Sequence, residues 1–217
     1  MFGDKKFIEK NAVNPALAKY LGFGAIMLTM NRVPTETMAV RMKNSQIQRI
    51  LCDFWDINNR ESCLSTLDWL AHSGHVEDKE EAYIKYKEGH HVAMSSSIKN
   101  ELGRLAEISI NYKFNVEDAN KNRTILAFDL ERLAFLARLG QQVGYITQDE
   151  AWHQLQDIVY PKAKSAFKTW SEYGMSFLQG RAFCYDDDIV PGALGVWTLL
   201  VDKKATSIWS KYPLENM

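Results

Sequence analysis

The sequence predicts an all-α fold, a single-domain irregular helical bundle around one long central helix at about residues 121 to 143. Three observations lead there. Apolar residues recur at spacings of three, four and seven in nearly every segment, the period of a helix with one buried face. No stretch alternates apolar and polar residues between turn signals, as a half-buried strand does. The helical segments are punctuated by capping residues, with Ser, Thr or Asn in front and Gly behind.

Taken in order, Asn14-Pro15 reads as an N-cap followed by Pro at the first helical position, opening a helix through Leu17, Tyr20, Leu21 and Leu28 to about Asn31. After a loop around Pro34, Ile47, Ile50, Leu51 and Phe54 share one helical face. Asn59 caps a third helix carrying Leu64, Leu67 and Leu70, and Gly74 stops it. The charged run EDKEEAYIKYKEGHH reads as a short surface helix, and Ser95 to Ser97 cap another from about Ile98 to Tyr112, with Leu102, Leu105 and Ile108 inward. Asn111 to Asn122 has loop composition. The long helix then runs from about Lys121 to Val143 and is closed by Gly144. Thr147-x-x-Glu150 is a capping box for a helix containing Trp152, Leu155 and Ile158. Pro161 should end or kink that helix near Val159, since it lacks a backbone donor. Helix resumes from about Lys162 to Phe183, followed by a solvated turn at Asp186, Asp187 and Asp188, a Pro191-Gly192 turn and an apolar tail with Trp209.

Length and composition bound the function. At 217 residues the chain suits one domain, 1–217, able to bury a substantial core. With 26 basic against 27 acidic residues, nothing in bulk charge points to nucleic acid or an anionic membrane. Cys52, Cys63 and Cys184 are odd in number and lack a C-x-x-C spacing, so they read as reduced thiols rather than a disulfide framework or zinc site. The apolar window from Gly22 to Met30 is too short to span a bilayer and does not look like a signal peptide. A cytoplasmic protein without membrane insertion is expected.

The segment AFDLERLAFLARLG, residues 127–140, poses the central question, because it is apolar almost all round the helix yet carries charge. At 100° per residue, Glu131 and Arg138 fall within about 20° of each other on the one narrow polar stripe. Asp129 and Arg132 fall inside the apolar arc instead. A buried charge without a partner would cost several kcal/mol, so these two must pair or reach partners on neighbouring helices. They make either a structural ion pair that fixes helix packing or a polar pocket in which Arg132 or Arg138 grips a carboxylate or phosphate.

Three ordered motifs carry a resemblance: DIN-x-RESCLSTLDWLAHSGH (Asp56 to His75), AFDLERLAFLARLGQQVGYITQDEAW (Ala127 to Trp152) and FKTWSEYGMSFLQGRAF (Phe167 to Phe183). Together they resemble the bacterial domain of unknown function family 1266, over residues 56–183, with the N-terminal helices of 15–54 as a variable layer. The resemblance implies an α-helical protein and singles out Gly74, His75, Asp129, Arg132, Arg138, Gly144, Trp152, Trp170, Glu172, Gly174, Gly180 and Arg181. Three positions depart from the family pattern: Phe128 stands for Trp, Thr169 for Ser and Phe177 for Tyr. Loss of an indole N–H and a phenol hydroxyl favours packing over ligand contact there.

Recognisable chemistry is scarce. His72-Ser73-Gly74-His75 sits at a helix end without the Glu of a zinc-protease helix, and His90-His91 lies in a polar stretch. Gly22-Phe23-Gly24 follows no strand, and no nucleophile elbow or phosphate loop occurs. No catalytic residue, metal or cofactor is expected. Trp170, Tyr173 and Phe177 mark a core face of the closing helix, which should pack on the central one so that Arg181 can reach Asp129 or Glu172. The leading expectation is a non-catalytic cytosolic binding protein with a protein partner, for instance an accessory or immunity protein in bacterial competition. The alternative is an enzyme or binder for a small anionic ligand, with Arg132, Arg138 and Arg181 as the clamp and Asp129, Glu172 or His75 as acid or base.

Overall fold

The computed structural model describes residues 2–185, 188–203 and 206–217; Asp186 and Asp187, two of the three residues read as an acidic turn, lie outside them. Among the described residues the chain is helical throughout, with no strand, as the periodicity predicts. A first helix, α1 (Phe2–Lys10), precedes the predicted start. The Asn14 side chain then accepts from the Ala16 amide at 2.9 Å and opens α2 (Pro15–Ala18), followed by a 3-10 turn at Lys19–Gly22 and by α3 (Ala25–Met30). One helix from Asn14 to Asn31 was expected. It is broken at Gly24, whose φ of 77° is left-handed and whose missing Cβ would stand 3.1 Å from the Phe135 amide nitrogen. Glycine serves both needs at once.

The next three helices are α4 (Asn44–Trp55), α5 (Arg60–His72) and α6 (Gly74–Lys87). In α4, Ile47 and Leu51 are fully buried, but Phe54 on the same face is 78% exposed, because it stands in the last turn before the chain reverses at Asp56 (φ 53°). Asn59 caps α5 through its Oδ1, which accepts from the Ser62 amide. Helix α6 is longer than a surface turn and buries Tyr83 against Ile125 and Phe183. Then come α7 (Ser96–Asn111), capped by Ser95, and α8 (Val116–Lys121) inside the stretch expected to be a loop. Asn115 makes α8 possible, its Oδ1 accepting from the Glu117 amide.

The long helix is α9 (Leu126–Gln142). It starts later than predicted because Asn122 diverts the chain: its amide donates to the Tyr83 hydroxyl, Thr124 O and Gln179 Oε1. Gly144 ends it with φ 82°. Every residue from Ala127 to Gly140 is buried. The Thr147–Glu150 capping box opens α10 (Gln148–His153), which buries Trp152. Pro161 does not end the helix: the chain widens to a π-helical turn over Gln154–Val159 and continues as α11 (Tyr160–Ala166). The wider register accommodates a missing donor and a bulky ring without stopping the helix.

The expected helix from Lys162 to Phe183 is interrupted at 167–169. Thr169 then caps α12 (Trp170–Cys184), accepting from the Glu172 amide, so the exchange of Ser for Thr keeps the cap. Pro191 and Gly192 fall inside α13 (Val190–Trp197) rather than a turn, since Pro suits a first helical turn. A π-helical segment, Thr198–Asp202, α14 (Ile208–Lys211) and a 3-10 turn at Leu214–Asn216 follow.

The chain forms two compact units, Met1–His72 with Leu130–Lys162, and Ser73–Asp129 with Ala163–Met217. In the first, the core includes Leu21, Phe23, Ile26, Leu28, Ile47, Leu51, Phe135 and Leu139. In the second, the first residues of α9 pack on α12. A Cβ at Gly180 would lie 2.5 Å from that of Phe128, and the Phe128 and Phe177 rings are 5.8 Å apart. Gly174 similarly lets Val196 approach. The two motif helices meet as predicted, and both Phe departures are packing contacts.

Candidate functional site

The site was expected at the charges of α9, and all four of them are buried, at 1% exposure for Asp129, 0% for Glu131, 2% for Arg132 and 0% for Arg138. Burial of Asp129 and Arg132 follows the prediction. Glu131 and Arg138, which the helical angles set on a narrow polar stripe, are buried as well. The reason is chemical: each is met by main-chain groups that need a partner of its charge.

Within the first unit, Glu131 accepts from the Gly24 amide at 2.9 Å through one oxygen and from the Met27 amide at 3.0 Å through the other. It therefore caps the start of α3, where unpaired N–H groups favour a carboxylate. Two turns on, Arg138 Nη2 donates to the carbonyls of Thr35 and Thr37, holding the 33–43 loop to the helix. Its Nε and Nη1 make no hydrogen bond. Desolvation pulls the guanidinium down to about 9, against the opposing pull of Glu131 and Glu36. Arg132 lies with its guanidinium carbon 5.5 Å from the centre of the Trp55 ring, a cation–π contact.

In the second unit, Asp129 Oδ2 accepts from the amides of His75 at 2.8 Å and Val76 at 3.0 Å, capping α6. Gly74 fits this junction with φ 58°, since a Cβ there would lie 2.3 Å from Asp129 Oδ2. Asp129 Oδ1 faces His75 Nδ1 at 3.6 Å, and the imidazole lies by Phe128 and Tyr185, with ring centres 5.8 and 5.4 Å away. The His75 side chain is 20% exposed and that of Asp129 2%. Of the expected set, His75, Asp129 and Gly74 are brought together in this way. Glu172 lies in the first turn of α12, accepting from the Lys168 amide. Arg181, nine residues along and so about 13 Å up the axis, donates from Nε to Asp188 O. Among the described residues, no group of three or more His, Cys, Asp or Glu side chains is placed to hold a metal ion, and no helix is long and apolar enough to cross a membrane.

What the sequence did not point to is a pair of cavities in the second unit. One, of about 620 Å³, is lined by Trp170, Ser171, Leu200, Trp209, Pro213 and Glu215 among others. The other, of about 400 Å³, is lined by Lys113, Phe114, Asn115, Ser171, Leu200 and Val201. Trp170 and Trp209 stack face to face at 5.0 Å, and Trp170 Nε1 donates to Tyr212 O, which fixes the wall. The signal available was the apolar run ending in LLV, but its π-helical turn is invisible to a 3.6-residue period.

Comparison with known proteins fits these motifs. The family model described as Protein of unknown function (DUF1266) matches residues 50–214, about three quarters of the chain. The chain belongs to this family. The match takes in every motif residue of α9 and α12, while the Gly24, Met27, Thr35 and Thr37 groups held by Glu131 and Arg138 lie outside it. The chain is also similar to the uncharacterized protein YbeU of Escherichia coli (strain K12), 26% identical over 156 residues, 68% of this chain and 64% of the relative's length. No solved structure matches the chain.

Proposed function

We propose that this family member is a non-catalytic cytosolic binding protein that works by engaging a protein partner, and that residues 1–217 act as one domain, since α9 supplies residues to both units. One observation carries this: charges that would serve an enzyme are committed to holding the chain's own backbone. Glu131, Arg138 and Asp129 anchor three separate segments. A clamp for a small anion would need convergent cations reachable from water. Here Arg132 and Arg138 are buried in the first unit, and Arg181 and Glu172 point to different ends of α12. Balanced charge gives nucleic acid no electrostatic preference as partner.

The test has two arms. Tagged full-length chain, isolated from its native cell, is expected to retain a protein in stoichiometric amount through size-exclusion chromatography. Purified chain incubated with a metabolite extract is expected to deplete no component with time. Depletion that disappears in His75→Ala at unchanged thermal stability would overturn the proposal.

A further inference from the structure

The two cavities of the second unit form one groove, since Ser171 and Leu200 line both. Leu200 belongs to the π-helical segment Thr198–Asp202 and is partly exposed, with the buried Leu199 on one side and the partly exposed Val201 on the other. The floor is rigid, because the stacked indoles of Trp170 and Trp209 are 4% and 2% exposed and the first is hydrogen-bonded. A wall already set in place costs little ordering on binding.

Charge is arranged along this groove. Among the described residues, Glu215 is the one ionisable residue lining the first cavity, and Lys113 the one lining the second. Ser171 sits at the junction, its hydroxyl tied to Asp118. The chain on either side of the Lys113 end carries exposed apolar residues. Ile110 is 70% exposed and Val116 42% exposed, on either side of the 113–115 connection between α7 and α8. A compact small molecule would leave that rim bare.

We propose that this groove binds an extended peptide segment of a partner protein, two of whose apolar side chains enter the two cavities. An acidic group lies at the Lys113 end and a basic group at the Glu215 end. The cavities are of a size that takes bulky side chains, and opposite charges at the ends fix the direction of the bound segment. This inference rests on the proposal that the chain is a binding protein, and gives that partner a chemistry.

The experiment is selection of phage-displayed random 12-residue peptides on the full-length chain, followed by fluorescence anisotropy with the synthetic consensus peptide. The expected consensus has two apolar positions between an acidic and a basic residue. Leu200→Arg should weaken binding at least about tenfold, the loss typical of an anchor position. Because Leu200→Arg could disturb the fold, the exposed Lys113→Glu is the second variant: it should weaken the consensus peptide, and replacing that peptide's acidic residue by Lys should restore affinity. No such consensus, equal affinity for wild type and both variants, or selection of wholly apolar peptides insensitive to Lys113→Glu and Glu215→Lys would each overturn the inference. A stoichiometric cellular partner retained equally by wild type and Leu200→Arg would sink the groove while leaving the binding function intact.

Discussion

Gly74→Ala isolates the contribution of the Asp129 cap. Alanine at φ 58° costs about 1–2 kcal/mol for the left-handed backbone alone. The added Cβ would lie 2.3 Å from Asp129 Oδ2, well inside contact distance, so the carboxylate must move away from the His75 and Val76 amides it holds at 2.8 and 3.0 Å. Each hydrogen bond to a charged group is worth about 1.5–3 kcal/mol, and losing even part of both brings the total to about 4 kcal/mol. Gly89→Ala is the control: its φ is 83°, but nothing lies within 4 Å of the added carbon, so only the backbone cost of about 1–2 kcal/mol applies. For a chain of this length, each kcal/mol moves the melting temperature by about 2–4 °C, so Gly74→Ala should melt about 8–16 °C lower and Gly89→Ala about 2–8 °C lower. Thermal and urea unfolding of the two variants side by side reads the difference. Equal losses would refute the claim that a buried carboxylate organises the start of α6.

Three further outcomes follow from the same physics. Glu131→Gln should destabilise the chain by about 2–4 kcal/mol, measured by urea unfolding, because it removes the charge facing the Gly24 and Met27 amides and a counter-charge that favours the charged form of Arg138. Glu150 is pulled down to about 2, first by its hydrogen bond with Arg60 and then by the Thr147 amide. A carboxyl depressed on folding stabilises above its ordinary value of 4.5, and that contribution is lost as pH falls toward 2. Arg60→Ala should therefore raise the Glu150 carbon-13 titration midpoint, and the stability gap to wild type should shrink between pH 4.5 and 2. Burial raises the Cys63 thiol to about 11, whereas Cys52 is exposed, so maleimide with mass readout should modify Cys52 in the folded chain and Cys63 only after denaturation.

Much of the fold was legible because caps and stops are local. Asn14, Asn59, Ser95, Thr147 and Gly144 act where their chemistry says they should. The misses share a different cause. Asn122 shortens α9 through partners at Tyr83 and Gln179, far away in sequence, and Gly24 breaks a helix because α9 passes close to it. The 154–159 segment ahead of Pro161 and the 198–202 segment adopt a π register that a 3.6-residue period does not describe. Within the site, helical angles placed Asp129 and Arg132 in the core correctly. They set Glu131 and Arg138 on one polar stripe without saying what meets it, because a stripe on a wheel does not show whether water or another segment's unpaired amides and carbonyls lie opposite. Beyond the apolar run ending in LLV the groove was not legible, since Lys113, Ser171, Leu200 and Glu215 are ordinary residues until the chain brings them together.

The central claim, that charges of α9 are spent on anchoring other segments, is tested most directly by hydrogen exchange at four backbone amides. Gly24 and Met27 should exchange slowly in wild type and quicken in Glu131→Gln, while His75 and Val76 should be slow in wild type and quicken in Asp129→Asn, each variant releasing its own pair first. Rapid exchange at all four in the wild-type chain, or protection untouched by either substitution, would contradict it.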